Sequence, residues 1–276
     1  MKPSRSWRGP MVFVALGLAM ATAAHGQAQG DTRWSLVGSR SSYCISYLID
    51  PALAREILPS DAKPAPAGSG AGLHPFLART VQDEPRFAQW IPASICVGYY
   101  DRVTSEGKVL AQAKGNRPVI IVTNSIAVQA PRGMPGATSL LLDILTDQRP
   151  LQRAGDDVGV DIGSISVTSR VRVEGDDPDV AMDVDGATFH WSGHATGESS
   201  VGRTRSVSFG YAGRRSTNWV VTSETTPETS RLMVGGLEIL GTNPLAKALR
   251  ASPVRAVGPE EVGGTTTWTF HKQTKQ

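Results

Sequence analysis

Three groups of residues have types and spacings that could do chemistry. The first is Phe189-His190-Trp191-Ser192-Gly193-His194. On a regular strand His190 and His194 share a face. With Asp183 or Asp185, two imidazoles there could ligate zinc. The spacing is not the helical H-E-x-x-H, and Gly193 interrupts regular strand geometry. The same residues fit ordinary half-exposed histidines on a hairpin, and no metal is assigned. The second group is Arg170, Arg172 and Glu174, on one strand face with Ser166 and Thr168. If that face lines a barrel interior, it makes a polar pocket able to hold a carboxylate. On a solvated face the same residues would form cross-strand ion pairs. Arg170, Arg172, Glu174, His190 and His194 are therefore the candidate ligand-binding residues.

The third group is Cys44 and Cys96, the only cysteines. Each sits in a strand-like run, Ser42-Tyr43-Cys44-Ile45-Ser46 and Ser94-Ile95-Cys96-Val97-Gly98. Both thiols share the face of small residues, as neighbouring strands of one sheet could arrange them. A disulfide is the expected state, with two buried thiols as the alternative. A catalytic or metal-binding pair is disfavoured, since no CxxC spacing exists and no histidine is adjacent.

Other chemistry finds no support. The acidic run from Asp176 to Asp185 lacks the register of a calcium loop. No G-x-S-x-G elbow is present, and Gly163-Ser164-Ile165-Ser166 reads as strand. No G-x-G-x-x-G or Walker loop opens a helix after a strand, so no cofactor is expected.

The N-terminus specifies an address. Lys2, Arg5 and Arg8 precede an uncharged apolar run, Met11 to Ala24, closed by small residues. This is the pattern of a cleavable secretory signal, residues 1–26. The expected location is exported, periplasmic or extracellular, with an oxidising environment that favours Cys44–Cys96 pairing. The signal holds three of the 28 basic residues and no acid, leaving 25 basic and 25 acidic residues. A nucleic-acid partner would need a cation surplus, so none is expected. No later segment is apolar enough to span a bilayer as a helix.

The elements that must position these residues are mostly strands. Tyr43, Ile45, Tyr47 and Ile49 alternate on one face. Asp50-Pro51 opens a short helix ended by Pro59. Residues 59–75 form an irregular Pro/Gly loop. Further strands are expected at 94–100, 108–113, 118–128, 158–174 and 265–270. Two hairpins are expected, 180–184 with 187–191 and 207–211 with 218–223. Thr138 to Leu145 reads as a short helix, with a strand as the alternative. Pro227 to Leu240 reads as mainly helical, and a helix starts at Asn243-Pro244. The fold class is α+β, predominantly β: an antiparallel barrel-like or cone-shaped sheet with a few short helices, in one domain over residues 27–276.

The order of strand, Asp50-Pro51-Ala52-Leu53-Ala54-Arg55-Glu56-Ile57-Leu58-Pro59, loop, then a strand ending Val97-Gly98-Tyr99-Tyr100-Asp101 resembles the acetoacetate decarboxylase-like superfamily. The Gly/Pro break at Arg132-Gly133-Met134-Pro135-Gly136 fits that layout, and the likeness covers residues 34–145. It implies a β-rich, cone-like barrel around an apolar pocket. In the decarboxylases a buried lysine forms a Schiff base with a β-keto acid. That lysine would follow the Gly/Pro break, but Gly133 to Ser139 contains none, and Lys114 precedes the central strand. No catalytic residue is carried over. The expectation is an exported protein of this fold that binds a small apolar or carbonyl-bearing ligand without Schiff-base catalysis. The alternatives are a secreted lyase or hydrolase on the fold, or an envelope interaction protein with no ligand pocket.

Overall fold

Alternating side chains divide the long N-terminal strand β1 (Arg33–Ile49) into two faces. Tyr43, Ile45, Tyr47 and Ile49 are all buried on one. Ser42, Cys44 and Ser46 lie on the other. The computed structural model describes residues 33–60, 62–70, 73–115, 117–130, 138–165, 170–174, 177–184, 187–211, 218–242, 244–252 and 260–272. The signal-like segment 1–26, the Gly/Pro break 132–136, and Ser166 and Thr168 lie outside them.

Ten more strands follow: β2 (Ile91–Ser105), β3 (Lys108–Gln112), β4 (Val119–Ala127), β5 (Ser139–Thr146), β6 (Gly163–Ser164), β7 (Arg170–Glu174), β8 (Asp177–Val184), β9 (Ala187–Tyr211), β10 (Asn218–Gly241) and β11 (Glu260–Lys272). The helices are α1 (Pro51–Ile57), α2 (Pro75–Asp83), α3 (Arg149–Val158) and α4 (Pro244–Ala251). All the described strands belong to one sheet, ordered β6-β5-β4-β2-β1-β11-β10-β9-β8-β7, with β3 on β2. A parallel pairing of β5 with β9, Ser139 opposite Ser208 and Leu141 opposite Gly210, closes seven strands into a ring. The seam is short, because β5 then leaves β9 and pairs with β6 instead. The result is an α+β, predominantly β fold whose mixed sheet closes without forming a regular barrel.

Each side of the ring has its own apolar core. Outside, Tyr43, Ile45, Tyr47, Ile95, Val97, Ile120 and Val122 pack with Ala54 and Leu58 of the α1 segment and Ala246 and Leu249 of α4. Inside, at one end, Trp34, Leu36, Val119, Ile121, Trp219, Val221 and Phe270 pack with Leu151, Val160 and Ile162 from α3 and the chain after it. Trp219 Nε1 donates to the Gly159 carbonyl at 3.0 Å, fastening the C-terminal end of α3 to β10.

Local signals account for the helix ends. Asp50 accepts from the Ala52 N–H at 2.8 Å, capping α1 as its sequence requires. Gly159 ends α3 in the left-handed conformation at φ 79°, a position glycine fills without a Cβ penalty. The α4 helix begins at Pro244, where expected.

Three expectations are corrected. Residues 139–146 form strand β5, not a helix. A register shift between Asn124 and Ser125 puts Asn124 opposite Asp143 and Ser125 opposite Leu141. The extra residue, Leu142, is a bulge that leaves Leu141 and Ile144 on the same side. A spacing of three along a bulged strand imitates helical periodicity. Residues 227–240 continue β10 and pair with β9 as far as Gly241 opposite Ala187. Pro227 falls at the register shift between Thr226 and Thr229, where its missing N–H costs no ladder bond. Long-range pairing with a β-branched and aromatic partner outweighs the helical preference of Leu, Met and Glu. Finally, Val158 ends α3, and only Gly163–Ser164 and Arg170–Glu174 of the expected 158–174 strand are strand within the described residues.

Candidate functional site

The small faces of the ring strands point inward. Register places Ser46, Ser94 and Ser125 in one row across β1, β2 and β4. Cys44, Cys96 and Thr123 form the next row. At the seam Ser139 meets Ser208. Ser223 and Thr225 of β10 and Trp268 of β11 complete the wall. Because these side chains are short, the ring does not fill, and a cavity of about 330 Å³ remains. That is at the small end of the range for ligand pockets.

The cavity changes character along its length. Leu36, Ile121, Leu141, Val221 and Phe270 line the end closed by Leu151 and Ile162. Hydroxyls line the other end, where α2 contributes His74 and Leu77. Ser94 and Ser125 share a hydrogen bond at 2.8 Å, and Ser139 and Ser208 share one at 2.7 Å. His74 caps α2, its Nδ1 accepting the Phe76 N–H at 3.2 Å. An acceptor Nδ1 places the ring proton on Nε2. Gly98 lets the Tyr100 ring lie close along the wall, since a Cβ there would sit 2.7 Å from it. Tyr100 in turn meets Trp268 edge to face at 5.6 Å.

The Cys44–Cys96 disulfide is formed and lines the cavity. The two residues are directly opposed in the β1–β2 register, and their Cα atoms are 4.1 Å apart.

No Lys, Arg, Asp or Glu is among the described lining residues, and His74 is the titratable side chain there. The described lysines are elsewhere. Lys63, Lys108, Lys114 and Lys247 are exposed, and Lys272 is half-buried near the end of β11. A Schiff-base lysine works because burial destabilises its charge. No described lysine has that environment in this cavity.

The backbone positions of the five candidate ligand-binding residues lie elsewhere on the sheet. Arg170, Arg172 and Glu174 are on β7, opposite Ala181, Asp179 and Asp177 of β8. β7 is two strands beyond β9 and outside the closed ring. Only the backbone positions of these three and of His194 are described. His194 stands opposite Val234 of β10. His190 stands opposite Glu238, with Nδ1 3.9 Å from Oε2 and side chains 44% and 64% exposed. A pair that open to water is worth little even when the histidine is charged. Of the five, His190 is the one whose side chain is described, and it is not among the described lining residues.

The residues missed as a site are Ser125, Ser139, Ser208 and His74. One signal could have found the wall. A strand face of Ser, Thr, Cys and Gly with no Lys or Glu, opposite a largely apolar face, is too small to fill a core and too uncharged for open solvent.

No protein-family model matches the sequence, and no curated protein matches it. Among solved structures the chain is similar to an acetoacetate decarboxylase-like enzyme from Sphingomonas wittichii RW1. The identity is 14% and the TM-score 0.51, over 89% of this chain and 93% of that one. It is also similar to acetoacetate decarboxylase from Legionella pneumophila subsp. pneumophila str. Philadelphia 1. There the identity is 12% and the TM-score 0.49, over 88% and 87% of the two chains. The first of these likenesses, which spans 89% of this chain, leads to one conclusion: the chain has the acetoacetate decarboxylase-like fold.

Proposed function

We propose that the chain is an exported small-molecule-binding protein whose site is the ring cavity and which does not use Schiff-base catalysis. The observation that carries this reading is a cavity built by seven strands with no charged side chain among its described lining residues. An open pocket supports binding over an envelope protein with no ligand site. The positions of the described lysines argue against an iminium intermediate. A small apolar or carbonyl-bearing ligand suits the lining. Export is supported by the signal-like residues 1–26 and by the Cys44–Cys96 disulfide, which oxidising compartments maintain.

The test is borohydride reduction of the purified protein with acetoacetate or pyruvate, read by intact mass. No adduct is expected. A stoichiometric adduct on any lysine would overturn the non-catalytic reading and favour a lyase on the fold. Export is checked by fractionating the producing cell and measuring the mature N-terminus. A chain retained in the cytoplasm with residues 1–26 attached would overturn that part.

A further inference from the structure

We infer that the cavity selects an uncharged, two-ended molecule and discriminates against carboxylates. Its apolar part sits against Leu36, Ile121, Val221 and Phe270, and its hydroxyl or carbonyl oxygen sits among the paired serines. The inference rests on the ring cavity being the binding site, as proposed above.

Two observations carry it. The first is the absence of charge among the described lining residues. A carboxylate that gives up its water needs a cation or several strong donors in return. The described wall has no guanidinium or ammonium. Nor does His74 supply a cation while it caps α2. Its Nδ1 accepts the Phe76 N–H at 3.2 Å, and an imidazolium has no acceptor nitrogen.

The second is what the serine pairs leave over. In Ser94–Ser125 and Ser139–Ser208 one hydroxyl donates to the other. Each pair then retains one O–H and spare oxygen lone pairs. Such a pair can donate to a ketone or ester oxygen, or accept from an alcohol, with equal ease. It is a neutral recognition device. The serine pairs lie toward the α2 end, while the opposite end is mostly apolar, its Thr146 hydroxyl already donating to the Ile120 carbonyl at 2.7 Å. This gradient sets the ligand's direction, apolar part toward α3. Selectivity for neutral molecules separates this cavity from one built to hold an anionic keto acid.

The experiment uses the mature chain and three probes of one length: 2-heptanone, 1-heptanol and heptanoate at neutral pH. Calorimetry measures each against the wild type and against a Ser94→Ala/Ser125→Ala double variant, whose fold is checked by thermal melting. The expected result is binding of ketone and alcohol, with heptanoate weaker by roughly tenfold or more. The double variant should bind ketone and alcohol several-fold more weakly. Heptanoate binding as tightly as heptanone would overturn the neutral-ligand inference while leaving the cavity as a binding site. Equal affinity of a folded double variant would overturn the serine role. Failure of all three probes to bind the wild type would overturn the binding function itself. If the double variant fails to fold, Thr123→Val in the adjacent row tests the same dependence on wall hydroxyls.

Discussion

Cys44 and Cys96 are covalently joined across directly opposed positions of β1 and β2, so the disulfide is both a strand staple and part of the cavity wall. It spans 52 residues of sequence, a stretch that includes α1 and α2. Loop-entropy arithmetic for that length gives a stabilisation of about 4 kcal/mol. The Cys44→Ala/Cys96→Ala variant should therefore unfold at clearly lower denaturant concentration than the oxidised protein. Reduced wild type should match the variant. Thiol titration of the unreduced, unfolded protein should find no free cysteine, and two free thiols would refute the pairing.

The Tyr99 hydroxyl is buried without a hydrogen-bond partner. A buried donor left unpaired is a net cost, so deleting it removes the penalty. Tyr99→Phe should leave stability unchanged or raise it by up to about 1 kcal/mol. The ring's edge-to-face contact with Tyr43 at 6.0 Å is kept. Chemical denaturation measures this directly. A loss larger than about 1 kcal/mol would mean that the hydroxyl is bonded in solution.

Tyr47 and Tyr99 should resist ionisation. Burial raises the pKa of both well above the usual tyrosine value, with Asp143 adding to the shift at Tyr47 and Tyr43 at Tyr99. Above about pH 10 the unfolded chain releases these protons and the folded chain retains them. The unfolded state then binds fewer protons, so stability falls as pH rises, by about 1.4 kcal/mol per pH unit for each such tyrosine. Below that pH the two groups contribute no slope. Ultraviolet difference titration should show at least two phenols that ionise only on alkaline unfolding. Full phenolate formation in the folded protein near pH 10 would contradict the burial argument.

Gly155 faces the turn that closes α3. A Cβ there would lie 2.6 Å from the Val160 carbonyl oxygen and 2.9 Å from Ile162. Helix propensity favours alanine over glycine by about 1 kcal/mol. Overpacking against backbone costs about 1–3 kcal/mol, so the clash should win. Gly155→Ala is expected to destabilise by about 1 kcal/mol and to shift Ile162, which lines the closed end of the cavity. A stabilised variant would show that the contact relaxes freely.

Much of the fold is legible locally. Tyr43, Ile45, Tyr47 and Ile49 report their buried face through a period of two. Asp50-Pro51 reports a helix start. Glu106 and Gly107, both with positive φ, form the turn between β2 and β3. Legibility fails where a non-local pairing changes the local pattern. Leu142 as a bulge makes β5 look helical, and the helix-favouring residues near the end of β10 give no hint that β9 is long enough to pair them. The candidate site was harder to read. Charged and imidazole residues attract attention because their chemistry is strong, whereas serines in a strand are common and individually uninformative.

The amino-acid pattern alone determines which face of each strand is apolar and which is small. It also places Cys44 and Cys96 on matching faces and leaves no lysine in the Gly133 to Ser139 segment. These are covalent facts or consequences of side-chain alternation, which chain geometry enforces residue by residue. Tertiary structure alone decides that the small faces look inward on a common cavity. That outcome depends on the β5–β9 seam, where Ser139 meets Ser208 across 69 residues of sequence. A closure of that range is settled by total packing of both cores, which no local spacing encodes.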